Sequence, residues 1–146
     1  IELMIVGAII GILAAIAIPQ YQNYIARSQV SRVMGETSAV KTAVETCLLD
    51  GLAAADCHIG WTKSNLLGQQ PGAGTSNTST AQNPGQTGLT ITYPTSGGAA
   101  SIKATFGGNA ATAIKGKTLT WSRSDEGSWT CATNVDKKFA PAGCRG

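Results

Sequence analysis

IELMIVGAIIGILAAIAIPQYQNYIARSQ, residues 1–29, contains an uncharged run of sixteen residues from Leu3 to Ile18. As a helix this run would cover about 24 Å of a hydrocarbon layer about 30 Å thick. The chain opens at Ile1 without an initiator methionine, so a few further apolar residues upstream are expected to complete a membrane span. A secretory signal peptide fits less well. No basic stretch precedes the run, and Pro19-Gln20-Tyr21 follows it in place of a small-residue cleavage site. Gly7 and Gly11 stand at a small-xxx-small spacing that lets helices approach closely. Glu2 is the one charge beside the run. It either rests among headgroups, which helix-end charges can reach, or meets a positive group on a neighbouring chain.

Working outward, the pattern continues without a break. Val30, Val33, Thr37, Val40, Val44 and Cys47 recur at spacings of three and four, which makes one helical face apolar. Arg32 with Glu36 and Lys41 with Glu45 stand four apart, each pair worth a few tenths of a kcal/mol on a helix surface, and Asp50-Gly51 supplies a stop. Pro19 is expected to kink the helix without ending it. The result is one helix of roughly fifty residues, about 75 Å long, with an apolar first half and an amphipathic second half.

The stretch from Ile1 to Gln29 resembles the N-terminus of type IVa pilins, and among them those of pseudomonads. In that family a dedicated prepilin peptidase removes a basic leader and leaves an N-methylated phenylalanine, followed by threonine and leucine ahead of the Ile-Glu found here. Those three residues are absent from this sequence and are taken as truncated. Gly7 departs from the family's usual valine, which lowers helix propensity locally by about 1 kcal/mol relative to alanine. The resemblance implies that Glu2 neutralises the N-terminal amine of an adjacent subunit, and that Glu2, Gly11 and Pro19 serve assembly. It also implies a homopolymer built through N-terminal helices, in a Gram-negative bacterium. Each subunit waits in the inner membrane as a single-pass protein before entering the extracellular pilus. The partners implied are pilus assembly machinery and prepilin peptidase, with a host-cell receptor, DNA or phage on the finished filament. No cofactor is expected. Beyond Glu36 the resemblance is one of architecture.

Residues 69–88 lack apolar periodicity and are rich in glycine, proline, serine and threonine, as in an exposed loop. Strand patterns follow at Leu89-Ile91-Tyr93, Ile102-Ala104-Phe106, Leu119-Trp121 and Trp129-Cys131, separated by turn residues. Four short strands predict an antiparallel meander whose apolar face the helical stripe would cover. The fold class is therefore α+β, a long helix packed by its C-terminal half on a four-stranded sheet. The organisation expected is an anchor over 1–25 and a head over 26–146. Within the head lie the half-helix 26–50, a connecting loop 51–88, a sheet 89–134 and a terminal loop 131–144.

Cys47, Cys57, Cys131 and Cys144 lack the tight spacing of a metal knuckle, and two disulfides are expected. Four cysteines permit three connectivities. The two short loops are favoured because each then closes a segment already bounded by turn residues. The loop from Cys131 to Cys144 stands where the family carries its disulfide-bounded C-terminal loop, in several relatives a receptor-binding surface. Asp136, Lys137, Lys138 and Phe139 are its contact candidates, against the plainer alternative of a stapled terminus.

Catalytic and nucleic-acid chemistry find little support. Net charge is +3 with 13% charged residues, and the positives are scattered along the chain. Gly116-Lys117-Thr118 lacks the earlier glycine of a phosphate loop, and a strand pattern follows it. His58 is the only histidine, and no GxSxG elbow is present. Trp121 and Trp129 fall on strand patterns and read as core. Asn77-Thr78-Ser79 fits a glycosylation sequon. A filament subunit for adhesion and twitching motility is the function expected. The alternatives are a minor pilin or secretion pseudopilin sharing the N-terminal helix, and a monomeric anchored binding protein.

Overall fold

Helix α1 runs over Glu2–Leu49 in the computed structural model, 48 residues or about 72 Å. The structure describes residues 1–51, 57–61, 64–68, 88–93 and 99–145, and for Pro19 and Gln20 the backbone alone. Most of the loop expected at 69–88, the sequon at Asn77 and the turn at Gly97-Gly98 lie outside the described residues. The helix continues through Pro19. It ends at Asp50, whose N–H donates to the Thr46 carbonyl, and Gly51, whose N–H donates to the Leu48 carbonyl, follows at φ +68°, a conformation glycine adopts without strain.

Strands β1 (Leu89–Thr92), β2 (Ala100–Thr105), β3 (Thr118–Arg123) and β4 (Trp129–Thr133) form one antiparallel sheet in sequence order. A short 3₁₀ turn over Ala142–Cys144 ends the chain's regular structure. The register aligns Leu89 with Ala104, Ala104 with Leu119, Ile102 with Trp121, and Trp121 with Cys131. Because strand side chains alternate, this places all the large inward residues on one face. Val30, Val33, Val40 and Val44 are buried against that face together with Thr37 and Cys47. Full burial of each valine is worth roughly 1.5–3 kcal/mol.

Thr37 shows how a polar residue belongs in this stripe. Its hydroxyl donates to the Val33 carbonyl at 2.7 Å and accepts from Trp121 Nε1 at 3.0 Å, so both buried polar groups are satisfied. The surface pairs differ from the sequence expectation at one place. Arg32 does pair with Glu36 at 2.9 Å. Glu45, however, pairs with Arg123 of β3, and the Lys41 ammonium lies 3.7 Å from the Trp121 ring centroid. A tertiary partner with a bidentate guanidinium outcompetes an exposed i,i+4 lysine.

Candidate functional site

The N-terminal half of α1 is bare on every side. Ile5, Val6, Ile9, Ile10, Ile12, Leu13, Ile16 and Ile18 surround the helix, and all retain between 52% and 63% of their exposure. Among the described residues no other part of the chain covers them, which leaves an apolar surface of the kind that marks a protein or membrane contact. Glu2 is exposed in the first helical turn, where the helix dipole favours a carboxylate. At Gly7 and Gly11 an added Cβ would meet nothing within 4 Å, so neither glycine is required by packing within this chain.

The terminal loop is the second surface. Disulfides join Cys47 to Cys57 and Cys131 to Cys144, with Cα separations of 5.7 and 4.6 Å. Asp136, Lys137 and Lys138 are exposed, whereas Phe139 is only 4% exposed and packs in the core. The contact set expected from sequence therefore loses its aromatic member. The turn bonds Phe139 N–H to Asp136 O (2.9 Å) and Ala140 N–H to Lys137 O (3.2 Å) turn the ring inward while the three charged residues before it stay exposed. The loop rests on α1, where Arg27 Nε donates to the Lys138 carbonyl at 3.0 Å.

Two features escaped the sequence reading. The first is the cluster around Glu45, whose Oε1 accepts from Arg123 Nε (2.5 Å) and Trp129 Nε1 (2.8 Å). The hydrogen bond from Arg123 holds the Glu45 carboxyl below its ordinary value, against an opposing push from partial burial. The second is a close crossing of glycines at the two ends of the 69–87 segment. A Cβ on Gly88, at φ +74°, would lie 2.5 Å from Gly68 N, and one on Gly107 would lie 2.7 Å from Gly68 O. Backbone bonds from Gly68 N–H to Thr105 O and from Thr105 N–H to Gly88 O tie both ends to β2. An isolated glycine in a Gly-rich sequence gives no sign of such a partner; only the crossing reveals it.

Among the described residues no three of His, Cys, Asp or Glu gather as around a metal ion, and His58 is exposed. A cavity of about 320 Å³ opens between Gln22 and Ile25 of α1, Ala111 and Ala113 of the β2–β3 connection, and Phe139. It brings together no nucleophile and base.

A helix bare along one half and wrapped by a sheet along the other defines a subunit made to be completed by something outside itself. The family signature of pilins, proteins of bacterial filaments, matches residues 26–145. The chain is 66% identical to a "Type IV major fimbrial protein FimA" of Dichelobacter nodosus, over 99% of this chain and 92% of the relative. It is 42% identical to a "Probable minor fimbrial protein" of the same organism, over 99% and 91%. With a "Fimbrial protein" of Pseudomonas aeruginosa it shares 41% identity, over 99% and 92%. The chain belongs to the pilin family. Likeness thus extends through the sheet and terminal loop, well past the N-terminal third.

Proposed function

We propose that this chain is a major structural subunit of type IV pili, held in the inner membrane by residues 1–25 and polymerised through them into a surface filament. The observation that carries this reading is the contrast within α1: an apolar half that none of the described residues covers, joined to a half whose stripe is already covered. The higher identity to major than to minor fimbrial relatives, 66% against 42%, favours the major subunit. Residues 26–146 then form the head displayed on the filament. Prepilin peptidase and assembly machinery act on the chain before that, and adhesion and twitching motility follow from the filament.

In this reading Glu2 pairs with the positive N-terminus of a neighbouring subunit inside the helical core, and removing it leaves that charge buried without a partner. The penalty is on the order of 3 to 5 kcal/mol per contact and repeats at every subunit. An anchor-only protein would respond otherwise, since losing a charge beside an apolar run favours lipid. Surface filament yield, compared at matched membrane levels of subunit, is expected to fall steeply for Glu2→Ala and Glu2→Gln while insertion persists. Normal yields from both variants would remove the pairing role.

A further inference from the structure

We propose that the end of the head nearest the membrane is a docking surface for anionic lipid headgroups, formed by Arg27, Lys115, Lys137 and Lys138. The proposal rests on the reading of residues 1–25 as the anchor and adds a second, electrostatic contact between the head and the bilayer.

Two segments distant in sequence, the terminal loop and the β2–β3 connection, converge on the first turns of α1 inside the head. Lys138 lies there because its carbonyl accepts from Arg27. Lys115 lies there because its N–H donates to Ala111 O at 3.1 Å, and Ala111 N–H in turn donates to Gln29 Oε1 at 2.8 Å. The cavity shared by Gln22, Ile25, Ala111 and Phe139 fixes the same level. Arg27, Lys115, Lys137 and Lys138 are all exposed. Asp136 is the one acid within this group of segments among the described residues.

Height above the bilayer follows from the helix. Arg27 lies nine positions beyond Ile18, a rise of about 13 Å. The headgroup layer occupies about 6 Å of that on each side. The remaining distance is about one Debye length at physiological salt, and long basic side chains shorten it further. Between span and basic group stand Tyr21 and Tyr24, 66% and 71% exposed. This is the depth at which amphipathic aromatic rings prefer to sit in a bilayer.

Charge along the head is polarised to match. Glu45 lies eighteen residues beyond Arg27, about 27 Å farther along the helix. Asp125 and Glu126 occupy the turn after Arg123, which pairs with that same Glu45. An anionic surface therefore attracts the near end of the head, while the acidic far end, several Debye lengths away, would meet repulsion only if the head tipped over, which orients it. A second copy offering its acidic end is the competing occupant. Direct continuity of the basic group with the tyrosines and the apolar span favours lipid.

The test reconstitutes the full chain into vesicles of phosphatidylcholine alone or mixed with phosphatidylglycerol, and maps lysine acylation by peptide mass spectrometry. Labelling of Lys115, Lys137 and Lys138 should fall about fivefold on the anionic vesicles and recover in about 0.5 M salt. Lys103, exposed on β2, serves as the unchanged reference. In the double variant Lys137→Glu, Lys138→Glu the protection of Lys115 should disappear while flotation with vesicles and both disulfides persist. Equal labelling on the two lipids overturns the proposal, as does protection of Lys115 that survives the double variant. Protection in phosphatidylcholine that grows with subunit density overturns it too, and assigns the surface to a second copy. A chain that fails to float with either vesicle overturns the anchor reading itself and the proposal with it.

Discussion

The two halves of α1 share one backbone ladder and differ in what their side chains require. Residues 3–18 are apolar in every direction and exposed in every direction, whereas from Ala26 to Cys47 the apolar residues form one stripe, buried by a sheet from the same chain. Helix formation is local and serves both halves equally. Apolar width is what separates them. A stripe can be closed by one sheet face, but an apolar cylinder needs lipid or several other helices around it.

Removing residues 1–25 is the largest perturbation of this contrast. The remaining head is expected to be soluble and monomeric without detergent, as read by size exclusion with light scattering, while the full chain requires detergent. A head that aggregates with both disulfides formed would mean that its stripe is not satisfied internally.

A charge placed in each half sharpens the same comparison. Val33→Asp puts a carboxylate at a fully buried position opposite the sheet, and the head should lose more than about 4 kcal/mol in thermal or denaturant unfolding. Ile9→Asp, on the bare half, should leave head unfolding unchanged and impair membrane insertion by about 3 kcal/mol. If Ile9→Asp lowers the head's melting temperature as much as Val33→Asp does, the two halves are not independent.

Much of this division was legible from periodicity. Val30, Val33, Thr37, Val40, Val44 and Cys47 were marked by spacing alone, and all six are buried. The strands were marked by alternation at Ile102-Ala104 and Leu119-Trp121. What stayed hidden depends on partners far away in sequence. Glu45 reads as half of a helix-surface pair with Lys41 until β3 delivers Arg123, 78 residues later. Phe139 reads as a contact residue because a short run of charges precedes it, while its burial depends on how the disulfide-closed turn settles on α1. Gly68, Gly88 and Gly107 look like ordinary loop glycines until their backbones cross.

The smallest effect probes the far end of the covered half, where Glu45 ties α1 to β3 and β4. Its carboxyl is held below the ordinary value chiefly by the hydrogen bond from Arg123, with Trp129 adding a second donor. A folded-state pKa below the unfolded one means that the unfolded chain takes up the proton first as pH falls. The stabilisation is therefore fully present above the unfolded value, near 4.5, and is lost progressively as pH drops through the lower folded value. Glu45→Gln keeps the size and one acceptor but removes the charge, so at neutral pH it should cost about 1 kcal/mol, as expected for a partly exposed ion pair. Unfolding curves for the two proteins should converge once the pH has fallen below the lowered folded value, where both carry a neutral group at this position. Lys41→Met provides the internal comparison. Because Lys41 faces Trp121 and not Glu45, this variant should keep the wild-type dependence on pH. Curves that stay parallel down to low pH would show that Glu45 acts through packing alone, and a flattened profile in Lys41→Met would restore the helix-surface pair that the sequence suggested.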